Sequence, residues 1–138
     1  HWWIVGGGPE EAALRAQIRA RGMEARVTLL GMQSNPYPYL RQADLYVQPS
    51  RFESFGLTIL EAQILCLPIL STDTDGGKVL IEDGVTGRLC EPDAASIAEA
   101  VRQLKAAPQA RQAYCEALRG HDFEADNAEI LRELEALL

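Results

Sequence analysis

Short apolar runs that end on glycine or proline alternate with helix-length segments along the first hundred residues, and this alternation restricts the fold more than any other feature of the chain. Trp2-Trp3-Ile4-Val5, stopped by Gly6-Gly7-Gly8-Pro9, reads as a buried strand entering a turn. Residues 9–22 read as the helix that follows, with Pro9 at the start, Glu10 and Glu11 at the positive end and Gly22 as the stop. The same logic gives strands at Arg26–Leu30, Leu45–Gln48, Pro68–Ser71 and Arg88–Cys90. Helices are expected at Pro36–Ala43, Gly56–Leu65 and Gly76–Ile81, and a turn at Asp83–Gly87. After Pro92 the texture becomes continuous helix in three pieces, near 93–106, 108–119 and 123–137. Strands separated by helices of this length require right-handed crossovers between parallel strands, which is a Rossmann-like parallel sheet flanked by helices with a helical C-terminal tail. Ligands of such sheets sit beyond the carboxyl ends of the strands, where Gly6–Gly8, Gly31, Ser50–Gly56 and Thr72–Gly77 are expected to converge.

The 138 residues suit one domain, with a core near 2–106 and the tail from 108 to 138. The composition, 47% hydrophobic and 24% charged, is that of a globular protein, and no apolar stretch approaches the ~18–20 residues of a membrane span. A net charge of -7 argues against a general nucleic-acid or anionic-membrane binder. The charge is uneven: residues 1–52 carry six basic and four acidic side chains, net +2, and residues 53–138 carry seven and sixteen, net -9. An anionic ligand is therefore expected to meet the first half or backbone amides. Cys66, Cys90 and Cys115 are odd in number and follow no CxxC or CxxH pattern, which fits a reducing compartment and suggests neither a disulfide framework nor a zinc site. The chain opens on His1-Trp2-Trp3 without an initiator methionine or a secretory signal, and reads as part of a longer protein.

A glycine-rich turn after a first strand invites a dinucleotide reading, but the fingerprint fails. Glu11 stands at the third glycine position, Pro9 removes an amide, and the second strand ends on Leu30-Gly31-Met32 without an acid for a ribose. The informative stretch is Pro49-Ser-Arg-Phe-Glu53-Ser-Phe-Gly-Leu-Thr-Ile-Leu-Glu61-Ala62, in which two acids eight residues apart bracket a helix start. Free amides of Ser54, Phe55, Gly56 and Leu57 at a helix N-terminus attract anions such as a diphosphate. A carboxylate on each side of that cradle suits hydroxyls on each side of a diphosphate, ribose on one and hexose on the other. The plainer alternative is that Glu53 caps the helix and Glu61 is a solvated surface acid.

The chain resembles the carboxyl-terminal, nucleotide-sugar-binding half of a glycosyltransferase family 4 (group 1) enzyme of the GT-B fold. The resemblance runs over about residues 2–106. Its pieces, in order, are Ile4-Val5-Gly6-Gly7-Gly8-Pro9, Val27-Thr28-Leu29-Leu30-Gly31, Ala43-Asp44-Leu45-Tyr46-Val47-Gln48-Pro49-Ser50, the Glu53 to Glu61 pair, Pro68-Ile69-Leu70-Ser71-Thr72, Gly76-Gly77 and Asp83-Gly84-Val85-Thr86-Gly87. It implies a retaining transferase that moves a sugar from a UDP-, GDP- or ADP-sugar to a saccharide or lipid-linked acceptor, with no cofactor and no obligatory metal. In such an enzyme Glu53 meets the donor sugar and Glu61 the ribose. The stretch Ser54, Phe55, Gly56, Leu57 and Thr58 holds the diphosphate, Gly31 and Met32 border the base, and the Gly7-Gly8 turn completes the donor site. The Asn35-Pro-Tyr-Pro-Tyr-Leu stretch is similar to members that build surface polysaccharides.

The chain also departs from the family pattern. Cys66 replaces a glycine, so a close backbone contact there is expected to loosen; Leu80 replaces an acid and Ser54 a glycine. The family's phosphate-neutralising basic pair and its amino-terminal acceptor domain are expected upstream of residue 1. A cytoplasmic place, or a peripheral one at the inner membrane face through that domain, completes the expectation. A sugar-nucleotide epimerase of the same architecture and a non-catalytic Rossmann-like interaction domain are the competing readings.

Overall fold

The computed structural model describes residues 1–121. The helix expected at 123–137 lies outside the described residues. The chain divides into two compact units, one over His1–Tyr39 and one from Leu40 onward.

In the first unit, β1 (Trp2–Val5) pairs in parallel with β2 (Val27–Gly31), and α1 (Glu11–Ala20) connects them. The register slips between Ile4 and Val5, so that Val5 faces Gly31. The two glycines that bound this irregularity have positive φ, +122° at Gly6 and +67° at Gly31, and Gly6 N–H donates to the Gly31 carbonyl at 2.8 Å. The burial expected of β1 is not found. Its described ladder partner is β2 alone, and Trp2 and Trp3 are 37% and 39% exposed. Trp3 meets Tyr39 edge-on at 6.1 Å between ring centroids. Helix α1 starts two residues after Pro9, because the turn closed by Glu11 N–H on the Gly8 carbonyl precedes it. It ends in a Schellman arrangement: Gly22, at φ +61°, donates to Arg19, and Met23 donates to Ile18.

The second unit holds a three-stranded parallel sheet in the order β3-β4-β5, built from Tyr46–Gln48, Ile69–Thr72 and Arg88–Cys90. The strands thus form two separate parallel groups, β1-β2 and β3-β4-β5. The connections are α3 (Leu57–Ile64) and α4 (Asp75–Leu80), while α5 (Ala94–Ala106) and α6 (Pro108–Arg119) follow β5. The helix expected at Pro36–Ala43 contracts to α2, Tyr37–Leu40.

Central strand β4 is buried at every position, as a strand covered on both faces must be. Ile69 packs with Ile59, Ala62, Leu67 and Ile81 on one side. Leu70 packs with Ala100, Leu104 and Tyr114 on the other. The period of two along the strand therefore serves two helical layers at once. Gln63 is buried among the first group, and its amide donates to the Leu80 carbonyl, so no polar group is stranded there.

Candidate functional site

In the second unit the loop after β3 leads into the N-terminus of α3. The N-cap of this helix is Gly56, buried and left-handed at φ 85°, ψ 51°, and no side chain caps the first turn. The amides of Ile59 and Leu60 both return to the Gly56 carbonyl, at 2.9 and 3.1 Å. Those of Leu57 and Thr58 have neither a helical carbonyl behind them nor a cap among the described residues. They are the donors that the dipole end of a helix offers to an anion. The side chain of Leu57 and the loop residue Phe52 stand out in solvent, at 67% and 93% exposure.

Glu53 does bond to this helix start, but not as a helix cap. Its Oε1 accepts from Gly56 N–H at 3.0 Å, the amide of the capping residue itself, which leaves the two following amides unclaimed. Its Oε2 accepts from Gln48 Nε2 at 3.3 Å. The backbone of the loop is held separately, because Gly76 N–H donates to the Glu53 carbonyl at 2.7 Å. Only glycine fits that approach: a Cβ on Gly76 would lie 2.9 Å from both N and C of Phe55.

Glu61 occupies the second turn of α3 and is half-buried. Both acids act on one neighbour, Tyr46. Burial pushes the Tyr46 phenol above its ordinary range, the Thr58 hydroxyl pulls it down, and the negative charges of Glu61 and Glu53 add to the rise. The Tyr46 hydroxyl donates to Gln48 Oε1. Structure therefore gathers Glu53, Gly56, Leu57, Thr58 and Glu61 around Tyr46 and Gln48. Ser54 and Phe55 lie exposed on the loop between.

Neither Tyr46 nor Gln48 stands out as a functional candidate in the sequence. The signal was present in their spacing: Tyr46, Gln48 and Ser50 recur every second residue, which puts polar groups on one side of a strand end.

In the first unit Gly7, Gly31 and Met32 come together. A Cβ on Gly7 would sit 3.2 Å from Met32 Cγ, and Met32 is otherwise 79% exposed. Gly8 has open space around it, so sterics do not demand glycine there. The Asp73-Thr74-Asp75 run has local duties. Asp73 pairs with Lys78 at 2.9 Å, and Thr74 caps α4 by accepting from Gly77 N–H at 3.2 Å. Among the described residues no group of three or more His, Cys, Asp or Glu side chains is placed to hold a metal, and no helix is long and apolar enough to cross a membrane.

Cys66 is the one non-glycine residue with positive φ among those described, at +54°. Cys66, standing where a glycine is expected, ends α3 in a second Schellman arrangement, its N–H donating to Gln63 and Leu67 N–H to Ala62, at 2.8 and 3.0 Å. The departure thus places a strained residue at a helix stop.

Parallel strands covered by helices, with an anion-ready helix start beyond the strand ends, define a Rossmann-like α/β chain of the kind that forms the C-terminal half of GT-B enzymes. The chain belongs to the family described as glycosyl transferases group 1, whose profile matches residues 1–121. It is 36% identical over 116 residues to an alpha-D-kanosaminyltransferase of Streptomyces kanamyceticus, covering 82% of this chain and 30% of that protein. It is 39% identical over 120 residues to a D-inositol 3-phosphate glycosyltransferase of Mycobacterium leprae, covering 78% and 28%. Among solved structures, Anabaena Alr3699/HepE, crystallised in complex with UDP, superposes with a TM-score of 0.84 at 25% identity, over 97% of this chain and 40% of that one. Sucrose-phosphate synthase of Thermosynechococcus elongatus shares the fold with a TM-score of 0.78 at 24% identity, over 99% and 39%. The chain spans about a third or less of the length of these two curated relatives. Neither the epimerase nor the interaction-domain reading is favoured by these likenesses.

Proposed function

We propose that this chain is the donor-binding part of a retaining glycosyltransferase that takes a sugar from a nucleoside diphosphate sugar. The observation that carries the reading is the α3 start, with two uncapped amides between Glu53 and Glu61. In this reading the amides of Leu57 and Thr58 hold the diphosphate, Glu61 accepts from the ribose and Glu53 from the sugar hydroxyls. As the glycosidic bond breaks, the departing diphosphate gains negative charge. Donors already aimed at it stabilise the transition state more than the ground state, with no protein nucleophile and no obligatory metal.

The acceptor, a saccharide or a lipid-linked saccharide of surface polysaccharide or glycoconjugate synthesis, is held by a further domain, a reading supported by the greater length of the relatives. A cytoplasmic enzyme, peripheral at the inner membrane face through that domain, fits this role. The test is calorimetric titration of the chain with UDP, GDP and ADP. Saturable heat is expected with one of the three, and flat traces with all three from folded protein would overturn the reading.

A further inference from the structure

Gln48 ends β3, and every polar atom of its side chain is engaged. Oε1 accepts from the Tyr46 hydroxyl and from Thr58 Oγ1, the latter at 3.4 Å. Nε2 donates to Ser50 Oγ at 2.8 Å and to Glu53 Oε2 at 3.3 Å. The backbone beneath is held as well, since the Thr72 hydroxyl on β4 donates to the carbonyls of Gln48 and Ser50. An ionised carboxylate is an acceptor only, so the amide can face Glu53 with its nitrogen alone, and the two hydroxyls on Oε1 complete that orientation.

Glu53 is thereby gripped from two directions, by Gly56 N–H on one oxygen and Gln48 on the other. A carboxylate offers about four lone-pair positions, so two bonds to protein leave room for two more to a ligand. A loop carboxylate without the second tether would have to be ordered by its ligand each time, and that ordering is subtracted from affinity.

We infer that Gln48 is the positioning residue of this site: it aims the Glu53 carboxylate at the donor sugar and acts through Glu53 without touching the reacting atoms. The inference rests on the donor-binding reading above.

The test compares the chain with its Gln48→Leu, Gln48→Glu and Glu53→Ala variants. Each is titrated with the nucleoside diphosphate that binds the wild type and with the matching nucleotide sugar, and each is melted without ligand. Gln48→Glu keeps the size of the side chain and sets an acceptor against an acceptor, which separates the donor role from packing. The wild type is expected to bind the sugar nucleotide at least tenfold more tightly than the bare nucleotide. Both Gln48 variants are expected to erase that sugar increment while holding the bare nucleotide within about twofold, and Glu53→Ala is expected to erase the increment as well. The side-chain amide resonance of Gln48 is expected to move on adding sugar nucleotide, and to stay put in Glu53→Ala.

A retained increment in Gln48→Leu, with a lost one in Glu53→Ala, overturns the role of Gln48 and leaves the donor-site reading standing. Identical behaviour of wild type and Glu53→Ala removes Glu53 as the sugar contact and overturns the inference, while flat titrations of the wild type overturn the donor-site reading itself. Unfolding of the Gln48 variants, or equal loss of bare nucleotide binding, assigns Gln48 to the architecture and also overturns the inference.

Discussion

At the scale of single residues, the two helix stops make a natural comparison. Gly22 and Cys66 perform the same left-handed turn, but only Gly22 does so without a Cβ clash. Cys66→Gly is expected to raise stability by about 1 kcal/mol, read as a higher denaturation midpoint at unchanged slope. An unchanged or lower midpoint would mean that the buried part of the thiol outweighs the strain. The two acids separate by ligand. Glu61→Ala is expected to weaken binding of a bare nucleoside diphosphate by roughly 1.5–3 kcal/mol, the value of a hydrogen bond to a charged group. An unaltered titration would remove Glu61 as the ribose partner. Glu53→Ala is expected to leave bare nucleotide binding nearly intact, because the sugar is missing from that ligand, and equal damage would reassign Glu53 to the phosphates.

At the scale of elements, α4 and α5 show what a local rule can and cannot reveal. Asp93 caps α5, accepting from the amides of Ala95 and Ser96 and from the Ser96 hydroxyl. These bonds, with the hydroxyl first, hold its carboxyl below the usual range. A carboxyl lowered in the folded state stabilises above its unfolded value, about 4, and loses that contribution as pH falls through the folded value. Asp93→Asn is therefore expected to melt a few degrees below the wild type at pH 7, with the gap closing in acid; a gap independent of pH would refute the charge-based account.

Gly76 is a different case. Gly76→Ala is expected to cost roughly 1–3 kcal/mol by forcing a side chain into the Phe55 backbone, and to weaken nucleotide binding with it, whereas Gly8→Ala should do little to stability. Equal melting of the two variants would count against the close approach. The element order was legible because strand runs of β-branched residues, glycine stops and capping residues act over a few neighbours. The orientation of the Gln48 amide was not, since its contact with Thr58 depends on how β3 meets α3, which no local pattern encodes. The exposure of Trp2 and Trp3 likewise depends on which strands flank β1, and not on its own composition.

At the scale of the whole molecule, charge and completeness set the expectation. Residues 53–138 carry a net -9, so the helix start proposed to hold the diphosphate lies within an acidic stretch of chain. Nucleotide affinity of the chain alone is expected to be no better than about 0.1–1 mM, equivalent to roughly 4–5.5 kcal/mol. Sugar transfer by these 138 residues is expected to be undetectable, because holding an acceptor beside the donor is the largest entropic aid to a two-substrate reaction. Robust acceptor-dependent glycoside formation by the chain alone would overturn the two-domain reading.

The clasp that Thr72 makes with the carbonyls of Gln48 and Ser50 bears on the time course of binding as well as its strength. A strand end already fastened to its neighbour has no slow rearrangement to complete before a nucleotide can land. Association traces should then be single exponentials whose rate climbs in proportion to nucleotide concentration, without the plateau that a preceding conformational step imposes. Releasing the clasp with Thr72→Val, which keeps the shape and removes the hydroxyl, should bring that plateau into view.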